Sequence, residues 1–412
     1  MKRTKVLFYL PVLGTGGVER VVQYLASGLA DRYDLVIAGQ GADMENHMLR
    51  QAKLPPGVVL LEAPLGKASM KHRAVLQNVD KLLRIIAEHQ PDVIMTAWPR
   101  VHLTTGIALS RLPAGKRPKW VLAEHNEIQN YLGTGIIARL KAIALRHFCA
   151  KADVYLAVSE KVAKLSAEVY GHPFRVIYNP AVNPEIERRS LEPVDHPWFQ
   201  GDTPTVLSVG RMQEMKDFPT LVRAFKRVSE KMPAARLAIL GEGELRGQLE
   251  ALVAELGLGD KVWLPGFDPN PYKYMRRATV FTMSSAFGEA SPLVLSEAMF
   301  LGKPVVLTSF ATAPEFIHSG QDGLLVRVGD PEDLAKGLLE ILQTPELRGR
   351  LGQQARAKVK ERFSIERAVA NYDKLFAGLL PLRAEERARR TEERGGEKLS
   401  GVSPQPKVET KS

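Results

Sequence analysis

Four side chains in the second half of this 412-residue chain have the types and spacing for anion and sugar chemistry. Glu289 and Glu297 are separated by seven residues in the stretch running from Ser284 to Met299, which is followed by Gly302, Lys303 and Pro304. The spacing puts Glu289 in a loop after a strand and Glu297 in the next helix, so that both carboxylates can address one ligand. Glu297 also fits an ordinary helix surface, whereas Glu289 lies among small residues in a turn. The backbone amides at Ala290, Ser291 and Leu293 would open that helix, an arrangement that attracts anions. Upstream, Gly210 and Arg211 are followed by Lys216. A planar guanidinium and a point charge after a strand can clamp a diphosphate and stabilise charge on a leaving group; alone, they would read as surface cations. A third motif, Gly14-Thr15-Gly16-Gly17-Val18-Glu19, offers close backbone approach to a phosphate at a helix start. It is neither a dinucleotide fingerprint nor a P-loop, and it serves equally as a tight strand-to-helix turn. His125, in Ala123-Glu124-His125-Asn126, also follows a strand.

These residues need a scaffold that presents loops at the carboxyl ends of strands. Short apolar runs at 6–10, 35–38, 92–96, 119–123 and 154–158 alternate with amphipathic segments such as 19–30 and 75–89. That is the pattern of a parallel sheet covered by helices on both faces. Between Pro180 and Pro204 five prolines make one long regular element unfavourable. The alternation then resumes with strands predicted at 205–209, 236–240, 262–265, 280–283 and 305–307. The reading is an α/β protein of two doubly wound Rossmann-like domains facing across a cleft: 1–185, a linker at 186–203, and 204–363. A helix at 364–382 would pack back toward the first domain. Large apolar residues nearly vanish from 383–412, which is read as a disordered tail.

Composition narrows the function classes. One cysteine, Cys149, excludes an internal disulfide framework and a cysteine zinc cluster. No apolar run reaches the ~18 residues of a membrane span, and the start lacks the pattern of a signal peptide, so a cytoplasmic location is expected. The net charge of +11 is unevenly placed: residues 1–185 hold 24 Lys/Arg against 15 Asp/Glu, and residues 186–380 hold 25 against 25. The first half therefore suits an anionic partner. No nucleic-acid motif is present, so no nucleic-acid partner is expected. In 136–150, Arg139, Lys141, Arg146 and His147 alternate with Ile, Leu, Ala and Phe. Such a helix could lie on an anionic membrane, peripheral on the inner face of the plasma membrane, or pack as an ordinary helix on its own sheet.

Taken together, the Glu-x7-Glu segment, Gly-Arg-x4-Lys and the Gly-Gly turn resemble the family 4 retaining glycosyltransferases of the GT-B fold, over residues 5 to about 378. Gly241-Glu242-Gly243-Glu244 and Leu264-Pro265-Gly266-Phe267 resemble further stretches of that family. The resemblance implies a retaining hexosyl- or N-acetylhexosaminyl-transferase. It would move a sugar from a nucleotide-sugar, a UDP-sugar by expectation, to a glycan or lipid-linked acceptor in cell-surface polysaccharide or glycolipid synthesis. By the same implication Arg211 and Lys216 hold the donor diphosphate, Glu289 takes sugar hydroxyls and Glu297 the ribose. Gly16 and Gly17 approach the diphosphate, Gly266 and Phe267 border the base, and His125 lies near sugar and acceptor. Two carboxylates flanking the bond would mark a glycosidase-like double displacement. No nucleophile candidate is found beside His125, so same-face attack with the leaving diphosphate taking the proton is implied. There is no Asp-x-Asp, so metal-independent donor binding with no cofactor is expected. The alternatives are a GT-B nucleotide-sugar epimerase, a phosphorylase, and a non-catalytic sugar-nucleotide-binding relative.

Overall fold

The computed structural model describes residues 3–11, 13, 16–40, 49, 54–61 and 74–380. Gly14 and Thr15 of the glycine motif and the 383–412 tail lie outside these residues. The first sheet is built from β1 (Thr4–Leu10), β2 (Tyr33–Gly39), β3 (Val59–Leu61), β4 (Val93–Ala97), β5 (Lys119–Glu124), β6 (Val154–Ala157) and β7 (Arg175–Val176). Its helices are α1 (Gly17–Leu29), α2 (Ala74–His89), α3 (Pro99–Ser110), α4 (Ile128–Leu132), α5 (Gly135–Cys149) and α6 (Glu160–Tyr170). The strand order is β3-β2-β1-β4-β5-β6-β7, all parallel, with Val6 paired to Leu35 on one side and Val93 on the other. Alternate residues of β1 enter opposite cores. Val6, Phe8 and Leu10 join α1, while Leu7 and Tyr9 join α2 and α3. Burial on both faces explains the unbroken apolar runs.

The second sheet contains β8 (Thr205–Val209), β9 (Arg236–Leu240), β10 (Val262–Gly266), β11 (Val280–Met283), β12 (Val305–Thr308) and β13 (Leu324–Val326), in the order β10-β9-β8-β11-β12-β13. Around and before it run α7 (Pro184–Ser190), α8 (Phe218–Lys231), α9 (Arg246–Glu255), α10 (Tyr272–Arg277), α11 (Leu293–Phe300), α12 (Ala313–Phe316), α13 (Pro331–Gln343), α14 (Pro345–Arg362) and α15 (Ile365–Leu379). In each sheet the order reverses once, between β1 and β4 and between β8 and β11. Such switch points open a crevice at the strands' carboxyl ends. The loops leaving β1, β8 and β11 carry the Gly-Gly, Gly-Arg-x4-Lys and Glu289 motifs, and His125 follows β5.

The proline-rich stretch is structured. Pro184 occupies the first turn of α7, where its missing N–H costs nothing, and Asn183 Oδ1 accepts from Glu185 N at 2.8 Å. Ala181, Val182, Ile186, Val194 and Phe199 pack into the second domain's core, so these residues form part of that domain rather than a free tether. Helix α15 crosses back to the first domain. Its Tyr372 and Phe376 join the cluster containing Val6 and Phe8, and Tyr33 Oη donates to Asp373 Oδ1 at 2.7 Å. The two chain crossings run side by side: Ala181 N and Val182 N both donate to Phe363 O, at 2.9 and 3.3 Å.

Candidate active site

In the second domain the site is built on β8 and β11. Gly241, at φ +143°, leaves β9 against the loop after β8; a Cβ there would sit 1.9 Å from Gly210 O. Glycine is therefore required for Gly210 and Arg211 to pass. Met212 N donates to Glu242 O at 2.8 Å, fixing the next residue. A short 3-10 turn, Glu214–Lys216, then delivers Lys216. Ser284 Oγ donates to Lys216 O at 2.8 Å, tying this turn to the loop after β11. Lys216 Nζ pairs with Glu289 Oε1, which also accepts from Ser285 Oγ at 2.8 Å. Thr312 Oγ1 donates to Glu289 O at 2.6 Å. The carboxylate is thus held by two partners, and the backbone of the same residue by a third.

The first domain supplies the facing wall. Gly16 and Gly17 lead into α1, and Gly17 lies opposite Leu293: a Cβ on Gly17 would be 3.7 Å from Leu293 Cδ1. His125 follows β5, is buried, and makes no hydrogen bond at Nδ1. Burial pushes its pKa down to about 4, so the ring is neutral at physiological pH. Behind it, burial raises the Glu124 carboxyl to about 8. Glu124 Oε1 accepts from Tyr170 Oη at 2.5 Å and lies 3.5 Å from His102 Nε2. His102 Nδ1 meets Thr96 Oγ1 at 2.8 Å, and Trp120 Nε1 donates to that hydroxyl at 2.9 Å.

Between the walls lies a cavity of about 750 Å³. Of the residues singled out by sequence, Gly16, Gly17, His125, Arg211, Glu289, Ala290, Ser291 and Leu293 line it. Gly210 and Lys216 stand behind that lining, supporting Arg211 and Glu289. The structure does not bring Gly266 and Phe267 to the cavity. Gly266, at φ +91°, turns the chain so that its carbonyl accepts from Gly241 N at 2.8 Å, and Phe267 is left exposed. Glu297 also faces elsewhere. It is buried, and its Oε1 accepts from Arg20 Nη1 of α1 at 2.8 Å and from Tyr272 Oη at 3.0 Å. This ion pair joins the two domains. Sequence reading did not single out Arg20, Tyr272, or the lining residues Gln40, Trp98, Arg100 and Tyr131. The available signal was an aromatic beside a proline after β4, in Trp98-Pro99-Arg100.

Helix α5 presents an apolar stripe outward. Ile136, Ile137, Leu140 and Ile143 are 61 to 76% exposed, and only Leu145 and Cys149 of the helix are buried. Arg139, Arg146 and His147 flank the stripe and are exposed. Lys141 is held inward by Tyr131 O at 2.8 Å. Among the described residues no helix is long and apolar enough to cross a membrane, and no group of three or more His, Cys, Asp and Glu is placed to hold a metal ion.

Comparison with known proteins gives the same division. Residues 15–182 match the family model described as Glycosyltransferase Family 4, and residues 196–358 match the one described as Glycosyl transferases group 1. An uncharacterized glycosyltransferase of Methanocaldococcus jannaschii is 29% identical over 252 residues, which cover 59% of this chain and 62% of that protein. The N-acetylgalactosamine-N,N'-diacetylbacillosaminyl-diphospho-undecaprenol 4-alpha-N-acetylgalactosaminyltransferase of Campylobacter jejuni is 27% identical over 382 residues, 89% of this chain and 99% of its own length. Among solved structures, HepE of Anabaena in complex with UDP and glucose superposes with a TM-score of 0.72 at 19% identity, covering 91% of this chain and all of that one. Two matched family halves, two parallel sheets with facing switch points, and a cavity joining them place this chain in the family 4 glycosyltransferases of the GT-B fold.

Proposed function

We propose that the chain transfers a hexosyl or N-acetylhexosaminyl unit, with retention, from a UDP-sugar to a glycan or lipid-linked acceptor in cell-surface polysaccharide or glycolipid synthesis. The observation that carries this is the meeting of Arg211 and the Lys216-paired Glu289 with His125 across one cavity. Arg211 would hold the diphosphate and stabilise the departing nucleotide. Lys216 supports the same charge while fixing Glu289, which takes donor hydroxyls; the Ala290–Leu293 amides add positive potential. A neutral His125 can hydrogen-bond sugar and acceptor without carrying charge to the anomeric centre. Same-face attack, with the leaving diphosphate accepting the acceptor's proton, needs no protein nucleophile. Two cations in place of an acidic pair support a metal-independent donor site. A UDP donor is favoured because the Anabaena protein of this fold is described with UDP and glucose, and a lipid-linked acceptor because the Campylobacter relative is named for one.

A panel of nucleotide-sugars read by thermal shift tests the donor, since a ligand at 100 times its Kd adds roughly 2.7 kcal/mol. Product NMR then reads anomeric configuration. Inversion, full turnover by Arg211→Ala, or loss of activity in chelator would each overturn the corresponding statement. The α5 stripe, flanked by Arg139, Arg146 and His147, is assigned to an anionic bilayer on charge complementarity. Vesicles containing phosphatidylglycerol should pellet the protein in a salt-sensitive way, and phosphatidylcholine vesicles should not. Equal behaviour with both lipids refutes the assignment.

A further inference from the structure

One aromatic side chain in the cavity wall is held there by strained backbone, and the donor reading makes no use of it. Trp98 joins β4 to Pro99, the first residue of α3, and it has φ +81° and ψ 138°. Glycine enters that region freely, whereas a bulky residue does so at a cost. Two other non-glycine residues among those described have positive φ, Gln90 at 49° and Asp217 at 44°. Both have φ near the left-handed helical well that polar residues tolerate, and Trp98 does not. Its two flanks fix its ψ and its carbonyl, while neither requires the positive φ. Pro99 bars helical ψ at the residue before it, and Trp98 O accepts from His102 N at 3.0 Å as the first bond of α3.

The result is an indole 40% exposed at the switch point between β1 and β4, in the wall that also carries His125, Arg100 and Gln40. Trp120 of the same domain is wholly buried and donates its N–H to Thr96. Burial was therefore available to a tryptophan in this sheet, and Trp98 is kept out of it. A flat aromatic face in a polar cavity suits the apolar C–H face of a pyranose, while neighbouring amide and guanidinium groups suit its hydroxyls. The opposite wall, with Arg211, Glu289 and Ser291, is taken by the donor.

We infer that Trp98 is the platform on which the acceptor's terminal sugar ring stacks, making it a specificity-determining residue for a glycan-terminated acceptor. This rests on the donor assignment above. Tyr131, in the same wall, ties the cavity to the inward side of α5: its carbonyl accepts from Lys141, whose ammonium lies 4.9 Å from the Tyr131 ring centroid. A sugar carried on a membrane lipid would reach the indole along that edge.

The test titrates octyl hexosides and octyl N-acetylhexosaminides, below their micellar concentrations, into the full chain saturated with UDP. Calorimetry reads affinity, and tryptophan fluorescence reads the platform. At least one octyl sugar should bind the wild type. Trp98→Ala should weaken it at least tenfold and Trp98→Phe about threefold or less, with UDP affinity within about twofold in both. Trp98→Gly should bind sugar as poorly as W98A yet melt at a higher temperature, because the backbone is relieved. UDP binding without any octyl-sugar binding, undiminished sugar binding in W98A, or an equal loss of UDP affinity would each overturn the inference. No UDP binding by the wild type would overturn the donor assignment and, with it, the platform.

Discussion

The ion pair between Arg20 and Glu297 provides a measure of how firmly the two domains are held together. Glu297 is 1% exposed, the Arg20 side chain is 31% exposed, and their atoms are 2.8 Å apart. Breaking a fully buried pair costs about 3–5 kcal/mol, and an exposed pair contributes about 0–1 kcal/mol. With one partner wholly buried and the other about one-third exposed, Arg20→Ala should cost about 2 kcal/mol, much of it from a carboxylate left with Tyr272 alone. Arg20 belongs to α1 and Glu297 to α11, so the loss falls on domain closure and amounts to roughly a 30-fold shift toward the open form. Single-molecule energy transfer between dyes on exposed positions of the two domains reads that shift directly. The double variant R20A/E297Q should recover part of the melting temperature lost by R20A, because a neutral amide replaces an uncompensated charge. An unchanged distance distribution in R20A, or a double variant less stable than the single one, would refute this reasoning.

Other outcomes follow from the same geometry. Glu124 is raised from 4.5 to about 8 in the folded chain, so the folded state keeps a proton that the unfolded state loses, and stability falls as pH rises between those values. Glu124→Gln should remove that slope and gain on the order of 4 kcal/mol at pH 8 with none below pH 4.5; parallel denaturation curves for variant and wild type would sink the argument. His125 acts with the opposite sign. Its depressed value of about 4, against 6.5, makes stability rise with pH across that window, and His125→Asn should flatten it in urea melts at pH 4 to 7. Gly241→Ala meets both a positive φ and Gly210 O at 1.9 Å, so it should destabilise by about 3 kcal/mol or more and weaken UDP binding in calorimetry. Gly259→Ala, with nothing within 4 Å, should be neutral. The triple variant I136S/L140S/I143S should lose binding to anionic vesicles while its melting temperature stays near wild type, since those side chains pack on little.

Much of this architecture was legible in the sequence because burial on both faces leaves continuous apolar runs. The strands at 6–10, 119–123, 205–209 and 280–283 were predicted from such runs, and the chemistry-bearing residues follow them. The edge strands β3, β7 and β13, two or three residues long, carry too short an apolar pattern to be read. The site was legible where a motif stays within one loop, as with Glu289 and its neighbours. It was not where partners come from opposite domains. Nothing local to Arg20 announces Glu297, 277 residues away. Phe267 shows the converse: the family resemblance set Gly266 and Phe267 beside the base, but the pairing of Gly266 O with Gly241 N decides which way the chain turns there. The positive φ of Trp98 is encoded by no residue-type preference.

The return of α15 to the first domain has a consequence for how the chain is made. The core around Val6 and Phe8 is completed by Ala368, Tyr372, Leu375 and Phe376, and Gly28 is small enough for Val369 to seat against α1; a Cβ there would lie 2.3 Å from Val369 Cγ2. On the ribosome, the first domain must therefore wait, with that face of α1 and Tyr33 uncovered, until the second domain has been synthesised and α15 emerges. The domain that begins the chain is the last to be finished. A chain stopped at the Phe363 crossing would leave an apolar groove where Tyr372 and Phe376 belong, exposed to chaperones and proteases.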